Sequence, residues 1–266
     1  MPTQDILQEI VAWKRLEVTR QKEIVTPRKL YCDVQKNFCD ASQRSMRKAL
    51  AESPTGIIAE FKRRSPSKGW ISTKNDLPET VPTAYAQNGA SAISVLTDEK
   101  FFGGTLSFLS TARRQVSVPL LRKDFIIDEY QIFEAKNAGA DAILLIAAVL
   151  PPKVCASFIR TAHEIGLETL LELHSESEID AYGGLDTDML GVNNRNLSSF
   201  VTDVQTSFLL APRLPADKVL VSESGIGSAA VIRDLRQAGF RGFLMGEHFM
   251  RAENPGLELK KLLAEI

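Results

Sequence analysis

A unit of one kind recurs along most of this 266-residue chain: a helical segment, a glycine, one or two residues, then a short β-branched or Leu-rich run. The clearest copies read AYAQNGASAISVLT, IFEAKNAGADAILLIAA, IRTAHEIGLETLLEL and IRDLRQAGFRGFLMG. In each, Gly89, Gly139, Gly166 or Gly239 stands where the chain leaves a helix, the position that takes a left-handed conformation. The run that follows is apolar at consecutive rather than alternate positions, as a parallel strand covered on both faces requires. With the less obvious copies included, strands are expected to start near Ile57, Ser91, Val118, Asp141, Glu168, Asp188, Lys218 and Arg241. Their mean spacing of about 26 residues leaves room for a strand, a loop and a helix each time. Eight such units predict an α/β fold of the (β/α)8, or TIM-barrel, type in one domain. A doubly wound open sheet would favour fewer strands and a glycine-rich loop after the first. Here the first strand runs into Glu-Phe-Lys instead.

Residues 1 to about 50 lie outside the repeat. Ile6, Leu7, Ile10 and Val11 recur at helical spacing, so DILQEIVAWKRLEV is an amphipathic helix by pattern. Pro27 ends it, and SQRSMRKALAES offers a further helix with a serine start. The expected organisation is a single domain over 1–266: a helical extension at 1–50 that caps a barrel at 51–266.

Composition narrows the function classes. Net charge is −1, made up of +5 in the first 64 residues and −6 in the rest, so the whole molecule has no general attraction to nucleic acid or membrane. The basic residues of the first part are scattered, without aromatic interleaving or zinc spacing. Cys32, Cys39 and Cys155 form no CxxC pair, and His163, His174 and His248 stand apart, so neither a disulfide framework nor a metal centre is expected. No apolar run reaches membrane-spanning length and the N-terminus carries no signal-peptide pattern, which predicts a reduced, cytoplasmic protein.

Barrels of this type place their chemistry at the C-terminal ends of the strands. The stretch GIIAEFKRRSPSKGW buries Ile57, Ile58 and Ala59 and then crowds Glu60, Lys62, Arg63, Arg64 and Lys68 at the strand end and in the loop beyond. The third strand ends in Arg122, Lys123 and Asp124, the fifth in Glu172, the sixth in Asn193, Asn194 and Arg195, and the seventh in Ser222, Glu223, Ser224 and Gly225. The eighth ends in Gly246 and Glu247, while the second and fourth end in the nearly neutral Thr97 and Ala147. Side chains alternate along a strand, so Glu60 and Lys62 share a direction, and Lys123 faces away from Arg122 and Asp124. Two lysines and two glutamates meeting in one mouth would shift each other's proton affinities, as general acid–base catalysis requires. The alternative is a pair of ion pairs closing the barrel top, an arrangement that gains little net stability when buried. SESGIGS and LMGEHFM, after the last two strands, place small residues where a phosphate sits in many barrels.

The motifs IIAEFKRRSPSKG, ISVLTDEKFFGGTLSFL, PLLRKDFIIDEYQIFEAKNAGADAILLI, GVNNRNL, SESGI and FLMGEHFMR resemble, in order, those of the indole-3-glycerol phosphate synthases of tryptophan biosynthesis. The resemblance runs from about residue 5 to the C-terminus and includes the helical extension. It implies a lyase, a decarboxylase that closes 1-(2-carboxyphenylamino)-1-deoxyribulose 5-phosphate to indole-3-glycerol phosphate with loss of carbon dioxide and water. It implies Lys123 as general acid at the ketone oxygen, Lys62 as the partner of the substrate carboxylate, and Glu172 and Glu60 as the carboxylates that manage hydroxyl and proton traffic in dehydration. How those two divide acid and base duty stays open. Asn193 and Arg195 would orient Glu172 and the substrate. Ser224, Gly225, Gly246 and Glu247, with Leu244 just before them, would meet the phosphate end, and Ser65 and Ser67 fall in a mobile loop after the first strand. Phe101, Phe125 and Leu144 fit walls for the aromatic ring or ordinary core positions equally. No metal or other cofactor is implied. The partners implied are the small phosphosugar substrate and other enzymes of the pathway, with the chain as monomer or homodimer. Phe61 and Arg64 depart from the family's usual aliphatic and small residues, and His174 stands beside Glu172 where relatives vary. Phosphoribosylanthranilate isomerase, a barrel enzyme of related chemistry, would show a cysteine at the first strand end and an aspartate at the sixth, where this chain has Glu60/Lys62 and Asn193.

Overall fold

The computed structural model describes residues 6–37, 44–71, 76–196 and 201–266. Cys39 and the start of the sequence motif at Ser42 lie outside these residues. Eight parallel strands close into a barrel: β1 (Ile57–Phe61), β2 (Ala92–Leu96), β3 (Leu120–Lys123), β4 (Ala142–Ile146), β5 (Glu168–Leu173), β6 (Met189–Asn193), β7 (Val219–Glu223) and β8 (Gly242–Met245). Each pairs with the next in sequence, and β8 pairs with β1 through Ile57↔Phe243, Ile58↔Leu244 and Ala59↔Met245, so no edge remains. The predicted starts fall within two residues of the observed ones. The four glycines that end the helical segments of the repeat have φ of +97, +90, +66 and +104°, the left-handed exit the pattern requires.

Twelve α-helices accompany the barrel among the described residues. Three precede it: α1 (Ile6–Ile24), α2 (Pro27–Asn37) and α3 (Met46–Glu52). The others are α4 (Val81–Gln87), α5 (Leu106–Gln115), α6 (Glu129–Asn137), α7 (Pro152–Glu164), α8 (Glu176–Tyr182), α9 (Gln205–Leu210), α10 (Ala229–Gln237), α11 (Glu247–Met250) and α12 (Pro255–Glu265). Between β1 and α4 the chain adds a ribbon of two two-residue strands, Arg64–Ser65 against Gly69–Trp70, in a stretch whose sequence predicts only loop.

The strands bury both faces, which explains their consecutive apolar residues. One face joins a large cluster against the helices that includes Ile57, Ala59, Val95, Leu145, Leu171 and Phe243. The other fills the barrel interior with Ile58, Ala92, Leu121, Ala142, Leu144, Leu170, Met189, Val221 and Leu244. Helix α3 plugs the lower end of that interior: Met46 and Leu50 are fully buried in the same cluster. Its N-cap, Ser45, accepts from the Lys48 N–H and donates to Glu168 Oε1 at the start of β5, which pins the plug in place.

Helices α1 and α2 lie on the opposite, C-terminal side. Lys14 of α1 is fully buried, its amine 3.0 Å from Asp98 and 2.9 Å from Asp124, the residues just past β2 and β3. Val18 and Leu30 pack with Tyr130 of α6, whose hydroxyl donates to the carbonyls of Gln21 and Val25. The extension is therefore fastened to the same strand ends that carry the charged residues.

Candidate active site

Alternation along each strand decides which residues enter the mouth. Continuing the interior rows upward, Ile58 leads to Glu60 and Lys62, Leu121 to Lys123, Leu170 to Glu172, Met189 to Gly191 and Asn193, Val221 to Glu223, and Leu244 to Gly246. All of these except Gly191 line one cavity, together with Ser65, Ser67, Phe125, Leu144, Arg195, Ser224, Gly225, Leu244 and Glu247. Arg122, of the opposite parity, turns into the helix layer and meets Glu134 at 3.3 Å and Asp124 at 3.2 Å. Phe101 is not among the lining residues. The N–H groups of Phe101 and Phe102 both donate to Asp98 Oδ1, and the turn this fixes buries Phe101 under Lys100 while Phe102 lines the cavity, 5.9 Å from Phe125.

Glu223 lines the cavity as well and is absent from the expected site residues, as are Phe102, Ile146, Ile6 and Ile10. Glu223 was visible at the end of the seventh strand, and its parity with Val221 was the signal that would have placed it in the mouth. Its carboxyl is 1% exposed and accepts no well-aligned hydrogen bond among the described residues. Two glycines make room for the carboxylates. A Cβ on Gly191 would stand 2.4 Å from Glu223 Oε1, and one on Gly246 would stand 2.7 Å from Glu60 Oε1.

The charges are arranged around Lys123. Its Nζ lies 3.2 Å from Glu172 Oε2 and 3.4 Å from Glu223 Oε2, while Lys62 Nζ lies 2.6 Å from Glu60 Oε1. Burial alone would drive the Lys123 ammonium to lose its proton, but Glu172, Glu223 and Glu60 together outweigh it and hold the amine above its ordinary value. Burial would likewise raise Glu172, yet Lys123, His174 and Asn193 keep it well below the usual carboxylate range. Glu223 goes the other way: burial and the neighbouring carboxylates of Glu172 and Glu60 push it up to about 8 despite Lys123. Two adjacent carboxyl groups are thus driven apart, one ionised and one neutral near pH 7, as acid–base pairs in enzymes are.

His174 is built into this arrangement. Its Nε2 lies 3.2 Å from Glu172 Oε1 and its Nδ1 3.5 Å from Glu178 Oε2. Burial opposes the charged imidazole, but the two carboxylates win and push it up to about 10.

The two ends of the cavity differ in character. One wall is apolar, formed by Phe102, Phe125, Leu144 and Ile146 of the barrel and by Ile6 and Ile10 of α1. At the other end, Ser224 and Gly225 have successive φ of +68 and +74°, a turn that only glycine adopts without strain. Gly246 and Glu247 close the same end. Over the top, the ribbon after β1 is held by Arg63 and Arg64 against the Trp70 ring, and its Ser67 hydroxyl accepts from Arg195 at 2.8 Å. Ser65 lines the cavity with its hydroxyl unpartnered among the described residues. No group of three or more metal-ligating side chains is assembled among the described residues.

Comparison with known proteins gives this arrangement a family. The barrel superposes on 3-hexulose-6-phosphate synthase from Salmonella typhimurium with a TM-score of 0.62 at 13% identity, covering 79% of this chain and 97% of that one. Thiamine phosphate pyrophosphorylase from Pyrococcus furiosus gives a TM-score of 0.60 at 17% identity, over 83% of this chain and 97% of that one. Such likeness speaks for the fold alone. Sequence is more specific: an indole-3-glycerol phosphate synthase from Bacteroides thetaiotaomicron is 55% identical over 262 residues, 98% of this chain and 99% of that protein. The sequence model of that family matches residues 7–262, from the first turns of α1 through α12, and the chain belongs to the indole-3-glycerol phosphate synthase family.

Proposed function

We propose that the strand-end cluster around Lys123 carries the family's reaction: closure of 1-(2-carboxyphenylamino)-1-deoxyribulose 5-phosphate to indole-3-glycerol phosphate, a carboxy-lyase step of tryptophan biosynthesis. The aromatic ring rests on the Phe102/Phe125 wall with α1 above it, and the phosphate lies at Ser224, Gly225 and Gly246. Extension and barrel act as one unit in this reading, supported by Ile6 and Ile10 standing in the cavity wall.

The amine of the substrate feeds electron density into its ring, so the ring carbon that bears the carboxylate is nucleophilic. That carbon attacks the ketone carbon, a C–C bond forms, and the ketone oxygen takes a proton from the Lys123 ammonium. Loss of carbon dioxide returns an electron pair to the ring. The new hydroxyl then departs as water with a second proton, and a base removes the proton from the carbon next to nitrogen to leave the indole. One proton is consumed overall, because the carboxylate leaves as neutral carbon dioxide. Lys62 pairs with that carboxylate before it leaves, displacing its own contact with Glu60. Glu172, kept ionised, and neutral Glu223 flank the amine of Lys123 and exchange protons with it between steps. Asn193 holds Glu172, and Arg195 holds the ribbon through Ser67.

The observation that carries this reading is the single amine of Lys123 set between the buried carboxyls of Glu172, at 3.2 Å, and Glu223, at 3.4 Å, in the mouth of the barrel. A reducing, cytoplasmic location fits the free thiols of Cys32 and Cys155. The test is direct turnover of the carboxyphenylamino-deoxyribulose phosphate, followed by indole fluorescence. Lys123→Ala should fold normally and lose about 10²–10⁴-fold in kcat, the usual contribution of a positioned acid. A variant keeping more than about a tenth of wild-type turnover would remove Lys123 from that role.

A further inference from the structure

Ser224 is the one non-glycine residue with positive φ among the described residues, at +68°. A side chain in this conformation costs on the order of a kcal/mol or more and persists only where surrounding contacts impose it. Those contacts converge on Asn194, which is 2% exposed at the end of β6 and is not part of the cavity wall. Its Nδ2 donates to the Ser224 carbonyl at 2.9 Å and to Ser222 Oγ at 3.1 Å. Its Oδ1 accepts from the Ser207 N–H at 3.0 Å and from the Ser207 hydroxyl at 2.8 Å. The Ser207 and Ser222 hydroxyls, both fully buried, are 2.8 Å apart and close the ring. On the main chain, Asn194 N–H donates to Glu223 O and its carbonyl accepts from Asp203 N–H, both at 2.9 Å. Every polar group of this amide is therefore committed, and one of them holds the strained turn.

We infer that Asn194 is a positioning residue: it fixes the Ser224–Gly225 turn in its anion-binding conformation and so sets the affinity for the substrate's phosphate without touching it. The inference rests on the proposed placement of the phosphate at that turn. Aspartate at 194 would confound the test by adding charge near the anion, so the neutral Asn194→Ala variant is the one to make. A packing role alone would reduce the amount and melting temperature of folded protein. A positioning role also changes what the folded protein binds.

The experiment measures kcat and KM for the carboxyphenylamino-deoxyribulose phosphate, and the inhibition constant of inorganic phosphate, with thermal melting as the control for folding. Wild-type enzyme should turn over and be inhibited competitively by phosphate; failure of either overturns the functional reading on its own account. In Asn194→Ala, KM and the phosphate inhibition constant should rise together by about tenfold, or about 1.4 kcal/mol, with kcat within about threefold of wild type. Glycine takes positive φ freely, so the Asn194→Ala/Ser224→Gly double variant should return towards the KM of Ser224→Gly alone. Unchanged KM and inhibition in Asn194→Ala, or full additivity of the two substitutions, overturns the inference. If Asn194→Ala does not fold, Ser207→Ala, which removes one bond to Oδ1 and the link to Ser222, takes its place with an expected rise of about threefold, or roughly half the free energy. An unchanged value there overturns the inference equally.

Discussion

The residues of the mouth divide into those that strand alternation exposes to sequence reading and those that turns conceal. Glu60, Lys62, Lys123 and Glu172 sit within or next to unmistakable apolar runs, and parity alone separates Lys123 from Arg122 and Asp124. Glu223 stands at a strand end that continues as Ser-Gly, and the small residues that suggest a phosphate loop draw attention from the carboxyl between them. Phe101 and Phe102 could not be told apart, because Asp98 decides which one turns inward by gathering both of their N–H groups. Glu223 has a consequence for pH dependence. It is neutral near pH 7 and ionises as the pH passes about 8, with Lys123, Glu172 and Glu60 facing it. Ionisation sets a further negative charge beside the Lys123 ammonium, which then yields its proton less readily. We expect kcat to fall as pH rises through about 8 and expect Glu223→Gln, which cannot ionise, to lose that limb. A limb that persists unchanged in the variant would assign it to another group.

At the scale of elements, the barrel strands were legible because the repeat spaces them evenly and the glycine exits mark each helix end. The ribbon after β1 was not, since strands of two residues carry no period. What holds it is the stacking of Arg63 and Arg64 on Trp70 and the Arg195–Ser67 contact, none of which is local in sequence except the first. Helix α1 was legible as amphipathic, but not the reason Lys14 occupies its buried stripe. Lys14 meets Glu17, Asp98 and Asp124, and Asp124 is held well below the ordinary carboxylate range, against the effect of burial, chiefly by Lys14 and Arg122. Lys14→Met keeps the stem and removes the charge, leaving Asp98 and Asp124 buried without it. Breaking a buried pair in this way costs about 3–5 kcal/mol, to be read by urea denaturation. Because α1 also supplies Ile6 and Ile10 to the cavity wall, KM for the substrate should rise in the folded fraction. A variant of wild-type stability would show that water or rearrangement already compensates the two aspartates.

Most of the molecule's buried ionisable groups lie at the C-terminal end of the barrel, with Asp141 at the other, and their shifts set a pH dependence of stability that composition alone does not foretell. Glu172 and Asp124 have folded-state proton affinities below their unfolded values, so their contribution is present above the ordinary carboxylate range and is lost as pH falls through it. Glu223 is raised to about 8, and Glu17, Glu134 and Asp141 are raised as well, in each case chiefly by burial. A raised carboxyl stabilises the fold below its unfolded value and loses that contribution as pH climbs through the folded one. For Glu223 the loss therefore runs from the ordinary glutamate range up to about 8. His174, raised to about 10 by Glu172 and Glu178 against burial, continues the decline from the ordinary histidine range upward. Unfolding free energy should accordingly peak at about pH 5, just above the ordinary carboxylates, rather than at neutrality, and fall on both sides. Urea titrations at a series of pH values will read this directly. Glu223→Gln should flatten the decline up to about pH 8 and leave the acid side unchanged, whereas His174→Gln should flatten only the part above the ordinary histidine range, at about 6.5. A wild-type protein as stable at pH 8 as at pH 5 would mean that Glu223 is ionised in the fold, and with it the neutral carboxyl beside Lys123 would be lost from the mechanism.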